Sequence, residues 1–215
     1  MRQRLLKIFD ILLKTFGERH WWPGDTALEI IVGAVLTQNT SWRNVEKAIA
    51  NLKSANLLDL DRLHAAKEGI LAEHIRSSGY YNLKTARLKN IVNVIHDEYC
   101  SSIERLRDND TYKLRKRLLD IKGIGEETAD SILLYALEKP IFVVDAYTKR
   151  FLASHGLHDG SYKYSDVQAF FMGNLPSDAY LFNEYHALIV ALCQQYCLKT
   201  PKCEQCPLKN ERNNQ

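Results

Sequence analysis

Ile121-Lys122-Gly123-Ile124-Gly125-Glu126-Glu127-Thr128-Ala129-Asp130 is a glycine turn set between two apolar helical runs. Leu114, Leu118 and Leu119 lead into it, and Ala129, Ile132, Leu133 and Ala136 lead away with the same one-face spacing. A Gly-x-Gly turn between helices presents bare backbone N–H groups at the start of the second helix. With the helix dipole behind them, such groups hold a phosphate oxygen without any side chain. That grip positions a nucleic-acid backbone without reading its bases. A lone Gly-x-Gly is also compatible with a plain tight turn, so its meaning depends on the residues around it.

Working outward, the spacing is helical almost everywhere. Leu5, Phe9, Leu12, Leu13 and Phe16 share one face of a helix over 4–16. Thr26-Ala27-Leu28-Glu29 forms a capping box opening an apolar helix through Leu36. Further helices are predicted at about 42–53, 61–76, 82–99, 111–119, 127–137, 146–154, 165–173 and 178–197. Ile141-Phe142-Val143-Val144 alone has an extended pattern, too short to make a sheet. The predicted fold class is therefore all-α, without internal repeats or a low-complexity linker.

At 215 residues, with 46% hydrophobic and 26% charged side chains, the chain suits one domain or two closely packed halves, not a disordered segment. A net charge of +3 permits a nucleic-acid partner without arguing for one. No apolar run approaches a membrane span, and Met1-Arg2-Gln3-Arg4-Leu5-Leu6 lacks a cleavable signal pattern, so a cytoplasmic location is expected. Of the five cysteines, four fall within residues 193–206, a clustering that suggests metal ligands more than disulfides in a reducing compartment.

Asp145 follows the extended run and precedes the helix at Ala146. Capping that helix is its ordinary role. A carboxylate fixed beside bound DNA would also stabilise an oxocarbenium-like sugar and orient or deprotonate water. Cys193-x3-Cys197-x5-Cys203-x2-Cys206 offers four thiolates to an iron–sulfur cluster or, less favoured, a zinc ion. Cys193 is alternatively a buried apolar residue of the helix expected to carry Cys197. Lys199, Lys202, Lys209 and Arg212 make this loop basic, suiting it to lie along phosphates.

In this order, hairpin, aspartate and cysteines resemble the endonuclease III superfamily of helix–hairpin–helix DNA glycosylases, over residues 27 to 206 or so. Leu36-Thr37-Gln38-Asn39-Thr40 resembles the helix-end segment whose glutamine fills the gap left by a flipped base. Gly79-Tyr80-Tyr81-Asn82-Leu83-Lys84-Thr85-Ala86 is similar to the family's glycine-tyrosine-x-x-lysine-alanine segment, and Val143-Val144-Asp145 to its catalytic-aspartate segment. The resemblance implies a six-helix subdomain (residues 25–135) carrying the hairpin. A second helical subdomain would comprise residues 1–24 and 136–215 with the cysteine loop, the lesion cleft lying between the two. It further implies a [4Fe-4S] cluster, damaged duplex DNA as partner, a monomer, and a prokaryotic-type, nucleoid-associated setting.

Two departures matter. The family's Schiff-base lysine falls at Glu127, and a carboxylate cannot form an imine with the sugar. The implied enzyme is thus a monofunctional N-glycosylase without lyase activity. Glu127 also serves as a helix-dipole partner or, facing the pocket, as an attraction for a cationic base. The family's usual last cysteine, about six residues after the Cys-x2-Cys pair, is missing, so Cys193 would have to substitute or the site would be labile or lost.

Trp21-Trp22-Pro23 and Trp42, four residues after Gln38, are core aromatics or a base pocket. With Glu127 they resemble the endonuclease III-related 3-methyladenine DNA glycosylase branch, whose pocket stacks an alkylated base between aromatic rings. An alkylated purine is cationic, so it binds indole well and leaves without being protonated. Gln38, Gly123, Gly125 and Lys84 would contact DNA; Trp21, Trp22, Trp42 and Glu127 would line the base pocket. Tyr80, Tyr81 and Tyr147 add possible walls or phosphate contacts, and Arg150 a phosphate partner. His186 is a packed histidine or a zinc ligand. The function implied is base-excision removal of alkylated purines. The alternatives are a glycosylase for mismatched or oxidised pyrimidines and a non-catalytic lesion-sensing DNA-binding module.

Overall fold

The computed structural model describes residues 1–158 and 160–211; Arg212 of the basic loop lies outside them. Every regular element among the described residues is helical, with no strand, in keeping with the all-α expectation. No helix among them is long and apolar enough to cross a membrane. The chain forms two compact units. One joins Met1–Trp21 to the chain from Lys139 onward, and the other is Trp22–Glu138.

The terminal unit begins with α1 (Arg2–Phe16), which buries Leu5, Ile8, Phe9 and Leu12. The central unit begins with α2 (Ala27–Leu36). Thr26 Oγ1 accepts the Glu29 N–H at 3.2 Å, but Glu29 reaches back to the Asp25 N–H at 3.1 Å, one residue before the cap. Ile31, Val32, Val35 and Leu36 are fully buried, so α2 is the axis of this unit. It packs against α3 (Trp42–Ser54) and further helices described next.

The single helix predicted for 61–76 is broken into α4 (Leu60–Ala65), α5 (Glu68–His74) and a 3₁₀ turn at Arg76–Ser78. Ala66 turns extended, and Lys89 supplies the donor that makes this break tolerable. Its Nζ donates to the carbonyls of Leu63 at 3.2 Å, Ala66 at 3.1 Å and His64. Lys89 belongs to α6 (Tyr81–Tyr99), which packs on both α4 and α5. A short helix absent from the sequence reading, α7 (Ile103–Arg107), buries only Leu106, too little to leave a periodic signal.

The hairpin helices are α8 (Thr111–Leu119) and α9 (Glu126–Ser131). Asp110 caps α8 by accepting the N–H groups of Tyr112 at 3.1 Å and Lys113 at 2.9 Å. The run predicted as helix to 137 widens into a buried π turn at Ile132–Ala136 that lies against α2.

In the terminal unit, Ile141–Val144 is buried and forms no regular element among the described residues. Side chains satisfy it instead: the Tyr164 hydroxyl accepts the Val144 N–H at 3.3 Å, and Gln168 Nε2 donates to the Phe142 carbonyl at 2.7 Å. Then follow α10 (Ala146–His155), α11 (Tyr164–Asn174) and α12 (Ala179–Gln195). The Tyr185 hydroxyl of α12 donates to the Leu5 carbonyl of α1 at 2.9 Å. Buried Glu184 accepts the N–H groups of Arg19 and His20, each at 2.7 Å, pinning the chain beyond α1.

Candidate active site and nucleic-acid interface

The hairpin is rigid for identifiable reasons. Gly123 has φ +96°, and a Cβ there would lie 2.4 Å from Arg87 Cγ, so only glycine fits. Ile124 N–H returns to the Ile121 carbonyl at 3.0 Å, whereas Gly125 is exposed and extended at the start of α9. Across the turn Arg115 grips Asp130 bidentately, Nε at 2.7 Å and Nη2 at 2.9 Å, with the Asp130 side chain wholly buried. From α6, Asn90 Nδ2 donates to the Lys122 carbonyl at 2.9 Å.

Gln38 stands two residues beyond α2 and is tied to this hairpin. Its Nε2 donates to the Gly123 carbonyl at 3.2 Å and to Thr128 Oγ1 at 3.0 Å, and its Oε1 accepts from Arg87 Nη1. Arg87 was not singled out in the sequence. Its only signal there is a position three residues after Lys84 on a helix (one turn along the same face).

Lys84 is not at the surface, which corrects its expected contact with DNA. It is 1% exposed, and its Nζ donates to the carbonyls of Leu36 at 2.8 Å and Ser78 at 2.6 Å. Burial, with Arg87 beside it, pushes its pKa down to about 8. The ammonium fastens the end of α2 to the loop before α6. That loop ends in Tyr80, a residue 71% exposed on a left-handed backbone (φ 46°).

The aromatic residues divide. Trp22 meets Trp42 edge-on, centroids 5.2 Å apart at 89°, and meets Tyr135 at 5.3 Å. Gly33 makes room for them: a Cβ there would come within 3.1 Å of Trp22 Nε1. The sequence analysis did not single out Gly33; a glycine inside an apolar helical pattern is the kind of signal that marks such a close approach. Trp42 Nε1 donates to Glu46 at 2.9 Å and lines an open groove of about 340 Å³. Asp25, Glu29 and Glu46 line that groove too; Lys53 bridges the first two at 2.7 and 2.8 Å. Trp21 lies in the terminal unit and is half-buried there. Glu127 is exposed in the first turn of α9.

Asp145 caps α10. Its Oδ1 accepts from the Thr148 N–H at 2.7 Å and the Thr148 hydroxyl at 2.9 Å, and its Oδ2 lies 3.6 Å from His186 Nε2. Burial alone would raise the carboxyl pKa; the His186 ring and the Thr148 donors outweigh it and hold the pKa below the ordinary aspartate value. His186 is thus placed against Asp145, not among the cysteines. Arg150 stacks over Tyr147 at 5.1 Å.

Cys193 is fully buried on α12, and its Sγ donates to the Tyr147 carbonyl at 3.6 Å. Cys197 lies past the end of α12, not on it, with its Sγ 3.3 Å from Ser154 Oγ. The chain then curls back, Lys202 N–H to the Tyr196 carbonyl at 2.9 Å, and a tight turn joins Cys203 to Cys206 at 3.1 Å. Lys199, Lys202 and Lys209 are exposed along it. The thiols suit a soft metal chemically. Their geometry suits it in part, because Cys193 and Cys197 hydrogen-bond each other and no three of these sulfurs lie within 4.8 Å of one another. A closed single-ion tetrahedron is not formed.

Elsewhere among the described residues, His64, His96 and Asp97 bring ligand-type atoms within 4.8 Å of one another. The two imidazoles stack 3.7 Å apart at 1°. Parallel rings cannot both point a nitrogen lone pair at one ion, so this is a stacked pair.

Residues 32–177 match the family model of the HhH-GPD superfamily base excision DNA repair protein. The chain belongs to that superfamily. It is 48% identical over 208 residues to a Methanocaldococcus jannaschii protein provisionally named a DNA repair glycosylase, covering 96% of this chain and 94% of the relative. Among solved structures, the H. pylori 3-methyladenine DNA glycosylase MagIII, bound to 1,N6-ethenoadenine, is 33% identical with a TM-score of 0.75. That match covers 90% of this chain and 95% of MagIII. An endonuclease III–DNA complex superposes with a TM-score of 0.82 at 20% identity, covering 99% and 95%, a likeness of fold. The protein is a DNA glycosylase of base-excision repair, and damaged DNA is its substrate.

Proposed function

We propose that this glycosylase removes alkylated purines such as 3-methyladenine from duplex DNA by hydrolysis, leaving the strand intact. The observation that carries this reading is the aromatic cluster Trp22–Trp42–Tyr135, cleared by Gly33 and continued by a groove with three carboxylates against one ammonium. Indole faces and net negative charge favour a cationic base over a neutral one. The 33% likeness to a 3-methyladenine glycosylase supports the same choice. Trp21, Trp22 and Trp42 would supply the rings, and Glu127 a further negative charge.

Asp145 is the proposed catalytic residue. As the C1′–N bond breaks, its electron pair leaves with the base and neutralises the alkylated ring. The anionic carboxylate stabilises the sugar cation and accepts a proton from the water that attacks C1′. A glutamate at position 127 offers no amine for an imine, so no lyase step follows. The Gly123 and Gly125 N–H groups would hold a phosphate, the exposed lysines of the cysteine loop would lie along the backbone, and Gln38 would fill the gap of the extruded nucleotide.

Cys197, Cys203 and Cys206, with Cys193 as fourth thiolate once it turns from Cys197, would hold a [4Fe-4S] cluster. When bound, such a cluster would brace this loop, and no chemical step depends on it.

The test is incubation with randomly methylated duplex DNA and chromatography of the freed bases, with Asp145→Asn in parallel. Release of 3-methyladenine by the wild type alone, without strand scission, supports the reading. Release of none, with activity on mismatched or oxidised pyrimidines, overturns it.

A further inference from the structure

We propose that Arg87 is the positioning residue for Gln38, holding its amide in the orientation in which it enters the gap in DNA. The proposal rests on Gln38 being the residue that fills that gap. An amide has a donor end and an acceptor end that differ little in shape, so a glutamine plug must be told which way to face. Here two of its three partners have a single role, the Gly123 carbonyl and the Arg87 guanidinium, and they decide. The Gly123 carbonyl, which can only accept, faces Nε2 together with Thr128 Oγ1. Arg87, which can only donate, faces Oε1.

Arg87 is itself committed to this task. Its stem lies over Gly123, occupying the space where any other residue would place a Cβ. Its Nε is buried without a hydrogen-bond partner among the described residues. Its guanidinium donates to Gln38, with the buried ammonium of Lys84 beside it. Neighbouring cations repel, and the acceptor that Gln38 Oε1 offers partly offsets that cost at Arg87. Arg87 therefore links the plug to the hairpin, so that the gap-filling group and the phosphate grip arrive in fixed register. Such preorganisation lowers the ordering cost of binding.

The test is a double-mutant cycle on affinity for a duplex with a tetrahydrofuran abasic analogue, compared with the intact duplex. Arg87→Met keeps the stem over Gly123 and removes the donors. The wild type should prefer the abasic duplex, and Arg87→Met and Gln38→Ala should each reduce that preference by roughly ten-fold, with the double variant no worse than either. Affinity of Arg87→Met for intact duplex should be unchanged, and Arg87→Lys, which restores a donor, should recover part of the preference. Multiplying effects, or weaker binding of Arg87→Met to intact DNA, would mean that Arg87 contacts DNA directly and would overturn the proposal. No abasic preference in the wild type would overturn the gap-filling reading of Gln38, and this proposal with it, before any variant is compared.

Discussion

His186 Nε2 lies 3.6 Å from Asp145 Oδ2, while the two Thr148 donors hold the other oxygen, Oδ1. The pair joins the start of α10 to the middle of α12, so one carboxylate is both a helix cap and a half-enclosed anion. Because three groups from two helices share the cost of burying it, its pKa stays below the ordinary aspartate value. A carboxylate so held keeps its negative field available to a developing cation.

Asp145→Asn retains a good N-cap, so thermal unfolding should move little. Base release under single-turnover conditions should fall on the order of 10²–10⁴-fold. Retained activity would remove Asp145 from the chemistry.

His186→Phe preserves an aromatic ring near Phe142 and removes the group that offsets burial of Asp145. The folded-state pKa of Asp145 is depressed, so its contribution to stability is present above the unfolded value and lost as pH falls through the folded one. Without His186 that folded value rises. The acid limb of the pH–rate profile should shift to higher pH; an unmoved limb would separate the two residues.

Lys84 has the opposite sign. Its pKa is lowered from 10.5 to about 8, so between those values the unfolded chain binds more protons than the folded one. The stability contributed by this group therefore rises as pH increases through that window. Urea unfolding of wild type and Lys84→Met between pH 7 and 10 should show the rise only in the wild type.

Asp130→Ala would leave Arg115 facing a buried site without its bidentate partner. Breaking such a pair costs about 3–5 kcal/mol. Urea denaturation should report a loss of that order, with DNA affinity falling as the hairpin loosens. A loss below about 1 kcal/mol would mean that the turn is held by packing alone.

The helical class, the hairpin and the cap at Asp145 were legible from the residues alone. Each is a local matter: apolar spacing of three and four residues, glycine where the backbone turns left-handed, and an oxygen-bearing side chain before a helix. Local rules also misled where distant groups intervene. Nothing near residue 66 announces the break between α4 and α5, because the donor that permits it, Lys89, lies on another helix. Lys84 reads as a surface cation until the carbonyls of Leu36 and Ser78 are brought to it. The same holds for His186 beside Asp145 and Arg87 beside Gln38, pairs 41 and 49 residues apart in the chain. Their partnerships are absent from any sequence window, since only packing of whole helices brings such charges within reach and shields them from water.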